Sequence, residues 1–342
     1  MPAFRTAVVT ALFEERPGLQ RVDTDLGRAY VLTQLLGEVA VGDRVVLNTT
    51  AVDLGLGTGG WHVVHWNLAR DEVVQPGPGH IMKLRYTSLQ VDAGAAEEDH
   101  PDLPSAIDGM PVVVCGVHSQ VPCVAVAIRA LAPAARIAYV MTDGAALPIA
   151  LSDLVASLRA ADLLAVTITA GHAFGGDLEA VSVPGALALA RHVAGADVAI
   201  VGMGPGVVGT GSGLGTSSVE VAGILDAAAA LGGRPILAVR MSSGDPRPRH
   251  RGVSHHVRTA LQLARSSVLV PVPAGDLLAD ERHEVRVVEQ PAVAGLLEAA
   301  GLRVTTMGRL PDADPLFFEA AGAAGHLAAS LLGEERQIRS EQ

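Results

Sequence analysis

From Pro111 onward, short and almost purely apolar runs alternate with longer stretches rich in Ala, Leu and Val. PVVVCGV precedes SQVPCVAVAIRAL, ARIAYVMT precedes a helix through ALSDLVASLRA, and ADLLAVTI leads through TAGHAFGGDLEAV to a helix beginning near Ser182 and Pro184. ADVAIVGM then feeds a glycine-rich loop and the helix TSSVEVAGILDAAAA, and RPILAVRM feeds SSGDPRPRHRGV and the helix SHHVRTALQLA. SSVLVPV is followed by a helix from Pro291 to its C-cap Gly301, a strand LRVTT, and a closing helix that Asp314 caps near Pro315. Strands alternating with helices of this length predict a parallel sheet wound on both faces. Ser119, with Pro122 in the first turn, and the S-x-x-E box of Ser217 and Glu220 predict helix starts; Gly232-Gly233 predicts a helix end.

Before that, from Phe4 to about Gln90, the pattern is of short β-rich runs: RTAVVTALF, LQRVDTD, RAYVLTQL, DRVVLNTTAV and WHVVHWNL. Pro17-Gly18, Gly27, Gly42-Asp43 and the glycines between Gly55 and Gly60 separate them, which predicts a small barrel or sandwich. Alternation sends His62 and His65 to opposite faces, so they are weak as a metal pair. The resulting fold class is α/β: a Rossmann-like, doubly wound, mostly parallel sheet preceded by a small β-barrel or β-sandwich. The expected domains are a β-rich unit over 1–90, a linker or excursion over 91–110, the α/β domain over 111–335 and a tail over 336–342.

A parallel sheet binds ligands outside the carboxyl ends of its strands, so residues that follow strands converge in space. These are His118 and Ser119; Asp143; His172 with Asp177 and Glu179; the glycine loop; and then Asp245, Arg247, Arg249, His250, Arg251 and Ser254-His255-His256. Seven glycines lie between Gly202 and Gly215. A loop with few side chains can close its N–H groups on an anion, and the helix it feeds adds unpaired donors and a positive end. Gly204, Gly206, Gly209, Gly211, Gly213, Thr216 and Ser217 are therefore anion-binding candidates, joined by the forked donors of Arg247 and Arg249. A structural turn and a solvated basic loop are the plainer alternatives.

Gly204 to Gly209 satisfies G-x-G-x-x-G, but no helix begins at Gly206. ILAVRMSS also puts Arg240 and Ser242 where an NAD enzyme carries an acid, leaving NADP, held by Arg240, as the less favoured cofactor. A phosphate-cradling P-loop fails because Lys83 is the only lysine. Imidazoles and carboxylates that meet can share acid–base work or ligate a divalent metal. His172, Asp143, Glu179, His255 and His256 are the catalytic candidates; His118, Asp143, His172 and Asp177 are the candidate metal ligands. Against these stand a loop-satisfying His172, a turn-forming Asp143 in T-D-G, and a solvated helix end at His255 and His256.

Composition narrows the partners. Of 342 residues, 25 are Lys or Arg and 36 are Asp or Glu, a net charge of -11, with two Trp, three Tyr and five Phe. Neither a grip on phosphate backbones nor a stacking surface for bases is expected, so no nucleic-acid partner. No uninterrupted apolar run reaches membrane-span length, and MPAFRTAVVTALFEERPG turns acidic too soon for a signal peptide. The expectation is a cytoplasmic protein without a membrane partner, open to homo-oligomerisation, with Cys115 and Cys123 reduced and buried.

Four stretches, GHAFGGDLEAV, GPGVVGTGSGLG with VEVAGILDAAAALGG, RMSSGDPRPRHRGVSHH, and VGDRVVLNTTAVDLGLGTGGWHVVHWNL, together resemble the bacterial family known as domain of unknown function 3866. The resemblance covers nearly the whole chain, implies no activity and carries over no catalytic residue. The functional expectation therefore rests on the residues alone: an enzyme acting on a small phosphate- or carboxylate-bearing substrate by hydrolysis or group transfer. A non-catalytic nucleotide or small-ligand sensor and an NADP-dependent oxidoreductase are the alternatives.

Overall fold

The computed structural model describes residues 2–273, 278, 281–288 and 292–340, with 335–340 as backbone alone. The chain divides into two units, Met1–Gly94 and Ala95–Gln342. In the first, β1 (Phe4–Arg16), β2 (Leu19–Thr24), β3 (Gly27–Val31), β4 (Arg44–Asn48) and β5 (His62–Asn67) close into a barrel in the order β1-β2-β3-β5-β4. Two short helices, α1 (Thr33–Leu36) and α2 (Thr50–Asp53), and a small ladder of β6 (Met82–Lys83) with β7 (Val91–Asp92) complete it. β1 can serve both edges because it is 13 residues long and shifts register at Val9/Ala11 and at Leu12/Glu14, pairing with β2 and with β4. Such bulges bend a strand, and closure removes free edges. Ala7, Val9, Val22, Ala29, Val31, Val45, Leu47 and Val64 fill the interior. His62 meets the Leu26 carbonyl at 3.3 Å and His65 packs on Phe4 at 4.8 Å between ring centroids, on opposite faces as expected.

The second unit runs β8 (Pro111–Cys115), α3 (Gln120–Leu131), β9 (Ile137–Thr142), α4 (Asp153–Ala160), β10 (Val166–Ala170), β11 (Leu178–Ala180), α5 (Val183–His192), β12 (Val198–Met203) and α6 (Glu220–Ala230). It continues with β13 (Arg234–Ala238), β14 (Met241–Ser242), β15 (Gly252–Val253), α7 (His255–Leu263), β16 (Leu269–Val272), β17 (Glu284–Val287), α8 (Val293–Ala299) and α9 (Pro315–Ser340). Eight strands form one all-parallel sheet in the order β11-β10-β9-β12-β8-β13-β16-β17. Every residue of β8, β9, β10 and β12 is buried, because helices cover both faces. Alternation divides them: Val113 and Cys115 pack with α3, α4, α8 and α9, while Val112 and Val114 pack with α5, α6 and α7.

From β8 the chain moves outward to β9 and β10 through α3 and α4 on the first face, and then through a short loop to β11. It returns through α5 on the second face, inserts β12 between β9 and β8, and then passes to β13 and β16 through α6 and α7. At the carboxyl ends of β8 and β12 the outgoing chains therefore part to opposite faces, the crevice where doubly wound sheets bind ligands.

Several local expectations change. Residues 302–306 form no strand; Thr306 makes an isolated bridge to Arg309, and Leu302 and Val304 are buried among the helices. The place beside β16 belongs to β17, whose Glu284 and Arg286 suit an exposed edge. Ser119 makes no side-chain cap: its backbone is already helical, the Gln120 and Val121 N–H groups donate to the Val117 and His118 carbonyls, both at 3.1 Å, and Pro122 has no N–H, while the Gln120 side chain takes the Gly116 and Val117 N–H groups at 3.0 and 3.2 Å and donates to the Ala238 carbonyl at 2.8 Å. Ser182 and Ser254 cap α5 and α7 as expected, and Ser152 caps α4. Pro291 lies outside the described residues. The segment expected as a tail continues α9 through Ser340, and residues 341–342 lie outside the described residues. Cys115 and Cys123 are free and buried, and burial pushes both thiols up.

Residues Pro315–Glu334 of α9 are long and apolar enough to cross a membrane, yet 72% of that window is buried within the protein. The helix lies against α3. The approach depends on Gly325, where a Cβ would stand 2.3 Å from the Val124 carbonyl oxygen and 2.9 Å from the Ala127 Cβ. Gly325→Val should lower stability to urea unfolding by about 1–3 kcal/mol through overpacking. Gly333→Ala, with nothing within 4 Å, should lose nothing. Equal behaviour of the two variants would contradict this packing.

Candidate functional site

The glycine loop leaves β12 at the crevice. Gly204 allows a close backbone approach, since a Cβ there would sit 2.8 Å from the Ala146 carbonyl oxygen, and Gly211 holds a φ of +92°. The loop folds back on itself: Thr210 N–H donates to the Gly215 carbonyl at 2.7 Å, and Ser217 N–H to the Val208 carbonyl at 3.0 Å. Thr216 and Ser217, expected to contact an anion, instead brace this closure. The Thr216 hydroxyl donates to the Val208 carbonyl at 2.9 Å, and the Ser217 Oγ accepts the Val208 N–H at 3.2 Å. The N–H groups of Gly206, Gly209, Gly211 and Gly213 donate to no group among the described residues.

The expected capping box is absent. Thr216 caps a 3-10 turn over Ser217–Val219, and Glu220 points elsewhere, accepting from the Thr142 hydroxyl at 2.7 Å. Burial raises the Glu220 carboxyl to about 7; the Thr142 hydrogen bond opposes this and the neighbouring Asp143 charge reinforces it. Asp143 accepts the His172 N–H at 3.0 Å, and Gly171 leaves room for that carboxylate. Asp143, His172 and Glu220 thus gather on one flank of the loop. Glu220 was missed as a site residue because S-x-x-E already gave it a local task.

On the other flank, Asp245 is fully buried and takes a forked pair of hydrogen bonds from Arg247 at 2.9 and 2.8 Å, with Arg309 at 3.3 Å and Arg240 at 3.9 Å. The Arg247 hydrogen bonds hold its carboxyl well below the usual carboxylate range. Asp314, expected to cap α9, instead accepts from Ser242 Oγ at 2.6 Å, Ser243 N–H at 2.8 Å, Gly244 N–H at 3.0 Å and Arg309 at 3.0 Å. Burial opposes its charge, but these donors outweigh it. Together the two aspartates fix the segment from Ser242 to Arg251.

Arg247 is therefore engaged with Asp245 and is not a free forked donor. Arg240 is only 6% exposed, inside the protein and not poised for a 2′-phosphate; desolvation first, then Arg247, lowers it to about 10. Arg249 is exposed and makes no hydrogen bond or ion pair among the described residues; its guanidinium carbon lies 3.8 Å from the place a Gly211 Cβ would occupy.

His250, His255 and His256 form a triangle here, with ring centroids 5.0, 5.0 and 4.2 Å apart. Ser254 organises it: its Oγ accepts the His256 N–H at 3.3 Å and meets His250 Nδ1 at 2.9 Å. His255 Nε2 and His256 Nδ1 are buried without a hydrogen-bond partner among the described residues. Desolvation first lowers all three, with the surrounding arginines and, for His256, the neighbouring His255 adding to it; His250 falls to about 3 and His256 to about 4, so these two rings are neutral at pH 7. Neutral imidazoles can act as bases, donors or ligands.

His118 and Asp177, expected as metal ligands with Asp143 and His172, stand apart from that pair. His118 is buried with both nitrogens engaged, Nδ1 donating to the Met203 carbonyl at 3.0 Å and Nε2 accepting from Ser152 Oγ at 2.7 Å; burial lowers it to about 4. Asp177 pairs with Arg159 and accepts the Thr167 N–H at 2.8 Å, at the amino-terminal side of the edge strand. Glu179 accepts from Thr169 Oγ1 and Gly175 N–H, both at 2.6 Å. The chain after β10 doubles back into β11, and so carries both acids away from the crevice. Among the described residues, the group of three metal-type side chains close enough to share an ion is His250, His255 and His256, and it includes none of His118, Asp143, His172 and Asp177. His250 had a faint signal in the H-x4-H-H spacing, which is not diagnostic alone.

No curated protein and no solved structure matches this chain. A family model described as protein of unknown function (DUF3866) matches residues 28–325, through both units of the chain. The chain belongs to that family, DUF3866, as the resemblance of its glycine loop and histidine-bearing segment implies.

Proposed function

We propose that the second unit works in the Rossmann-like manner: it binds a small phosphate- or carboxylate-bearing molecule in the crevice over β12 and β8 and acts on it by hydrolysis or group transfer. The carrying observation is a guanidinium without a partner among the described residues, Arg249, beside a loop whose Gly206, Gly209, Gly211 and Gly213 N–H groups meet no acceptor among them. Free backbone donors and a free forked cation side by side are the chemistry of anion capture. Glu220, raised to about 7 beside Asp143, is suited to giving and taking a proton near neutral pH, and supports a reaction over binding alone.

Calorimetric titration of inorganic phosphate and of pyrophosphate into chelator-treated protein tests this. Arg249→Ala should weaken binding by at least about tenfold, the scale of one charge-assisted contact. Arg129→Gln, at the far end of α3, should leave it unchanged. Equal affinities in wild type and Arg249→Ala would sink the assignment.

A further inference from the structure

We propose that His250, His255 and His256 bind a divalent first-row transition metal ion of the zinc type, with a fourth position open to an anion. The metal part stands on the histidines themselves; the anionic fourth ligand rests on the anion-binding reading above.

One ring nitrogen from each histidine lies within 4.8 Å of the other two. In a tetrahedral site with zinc–nitrogen bonds of about 2.0–2.1 Å, ligand nitrogens stand about 3.3 Å apart. The triangle is thus slightly open, and small side-chain rotations close it. Two of the rings already carry a buried nitrogen with no hydrogen-bond partner among the described residues, His255 Nε2 and His256 Nδ1. Buried polar atoms are normally satisfied, and two orphans converging with a third imidazole point to a common acceptor of lone pairs. The third ring is oriented as ligating histidines are: the Ser254 hydroxyl engages His250 Nδ1 at 2.9 Å, and Nε2 makes no hydrogen bond among the described residues. Since Ser254 also caps α7, one buried side chain aligns the loop ligand with the two helix ligands.

Charge sets the fourth ligand. Arg240, Arg247, Arg249 and Arg309 surround this region against Asp245 and Asp314, and the start of α7 adds a positive helix end. A bare dication there meets repulsion, whereas a dication bearing an anion does not. Arg249 and the glycine loop stand where such an anion would be shared. An ion in this position would polarise a bound phosphoryl or carboxylate oxygen as a Lewis acid.

The test uses the full chain without a histidine tag, stripped with a chelator and titrated with zinc or with cobalt. The expected result is one ion per chain by native mass spectrometry, and with cobalt a visible absorption of tetrahedral intensity. His255→Gln, at the partly exposed corner, and His250→Gln should each weaken zinc binding at least about tenfold, the usual scale for losing part of a metal's surroundings. Circular dichroism matching wild type guards against misfolding. Zinc uptake unchanged in His255→Gln and His250→Gln, or no uptake by wild type, overturns the metal site. Inorganic phosphate should tighten zinc binding in wild type but not in Arg249→Ala; absence of that effect with metal uptake intact overturns the anionic fourth ligand. Phosphate binding that persists in metal-stripped protein without zinc uptake overturns the metal alone and leaves the anion reading standing.

Discussion

Asp245→Ala should lower the free energy of unfolding by about 3–5 kcal/mol, the cost of stranding a buried charge network. Asp245 has no exposed surface, and Arg247, Arg309 and Arg240 approach it at 2.8, 3.3 and 3.9 Å. Removing it leaves three guanidinium groups facing one another, of which Arg240 is itself buried. Among the described residues Asp314, already holding Ser242, Ser243, Gly244 and Arg309, would remain to offset them. Urea unfolding followed by far-ultraviolet circular dichroism measures the loss. The double variant Asp245→Ala/Arg247→Ala should recover part of it, because the repulsion falls with the second charge. The effect should reach function too, since the segment this aspartate anchors carries Arg249 and His250. A loss under about 1 kcal/mol would show that Asp245 is not the counter-charge on which this segment depends.

The fold was more legible in the sequence than the site. PVVVC, IAYVMT and VAIVGM are apolar almost without alternation because each is covered on both faces, and that pattern survives translation into structure directly. LRVTT, β-branched and alternating, also reads as a strand but has no place in the ladder, where β17 stands beside β16. Strand pairing is a property of neighbours, and no single run carries it. The site suffered in the same way. Asp177 and Glu179 follow β10 in sequence, yet they belong to the start of the edge strand β11, three places from β12, and so lie away from the crevice although Glu179 pairs level with Thr169 near the end of β10. Thr216, Ser217 and Arg247 have the right chemistry, but each finds an internal partner first. What distinguishes Arg249 from Arg247 is the absence of such a partner, a fact about tertiary packing. His255 and His256 were visible at a helix start, while His250 joined them only through the turn that β14 and β15 close.

Glu220 should make stability fall as pH rises through neutrality. Its carboxyl titrates at about 7 in the folded protein against an ordinary value of 4.5, chiefly because burial disfavours the charge. Between those two values the folded chain keeps a proton that the unfolded chain has released. Stability from this group is therefore complete below pH 4.5 and is lost as pH passes through about 7, by about 3 kcal/mol in all. Urea unfolding between pH 5 and pH 9 would trace the decline, and Glu220→Gln, which cannot ionise, should flatten it and exceed wild type at the alkaline end. Asp143→Asn should shift the wild-type midpoint to lower pH, because the Asp143 charge is one of the causes holding the proton on Glu220. Parallel curves for wild type and Glu220→Gln would remove Glu220 as the titrating group, and with it the acid–base role proposed for this flank of the loop. A retained decline that vanishes only in the glutamine variant would mean that the crevice spends stability to keep one carboxylic acid protonated at neutral pH, as a proton donor beside an anion site requires.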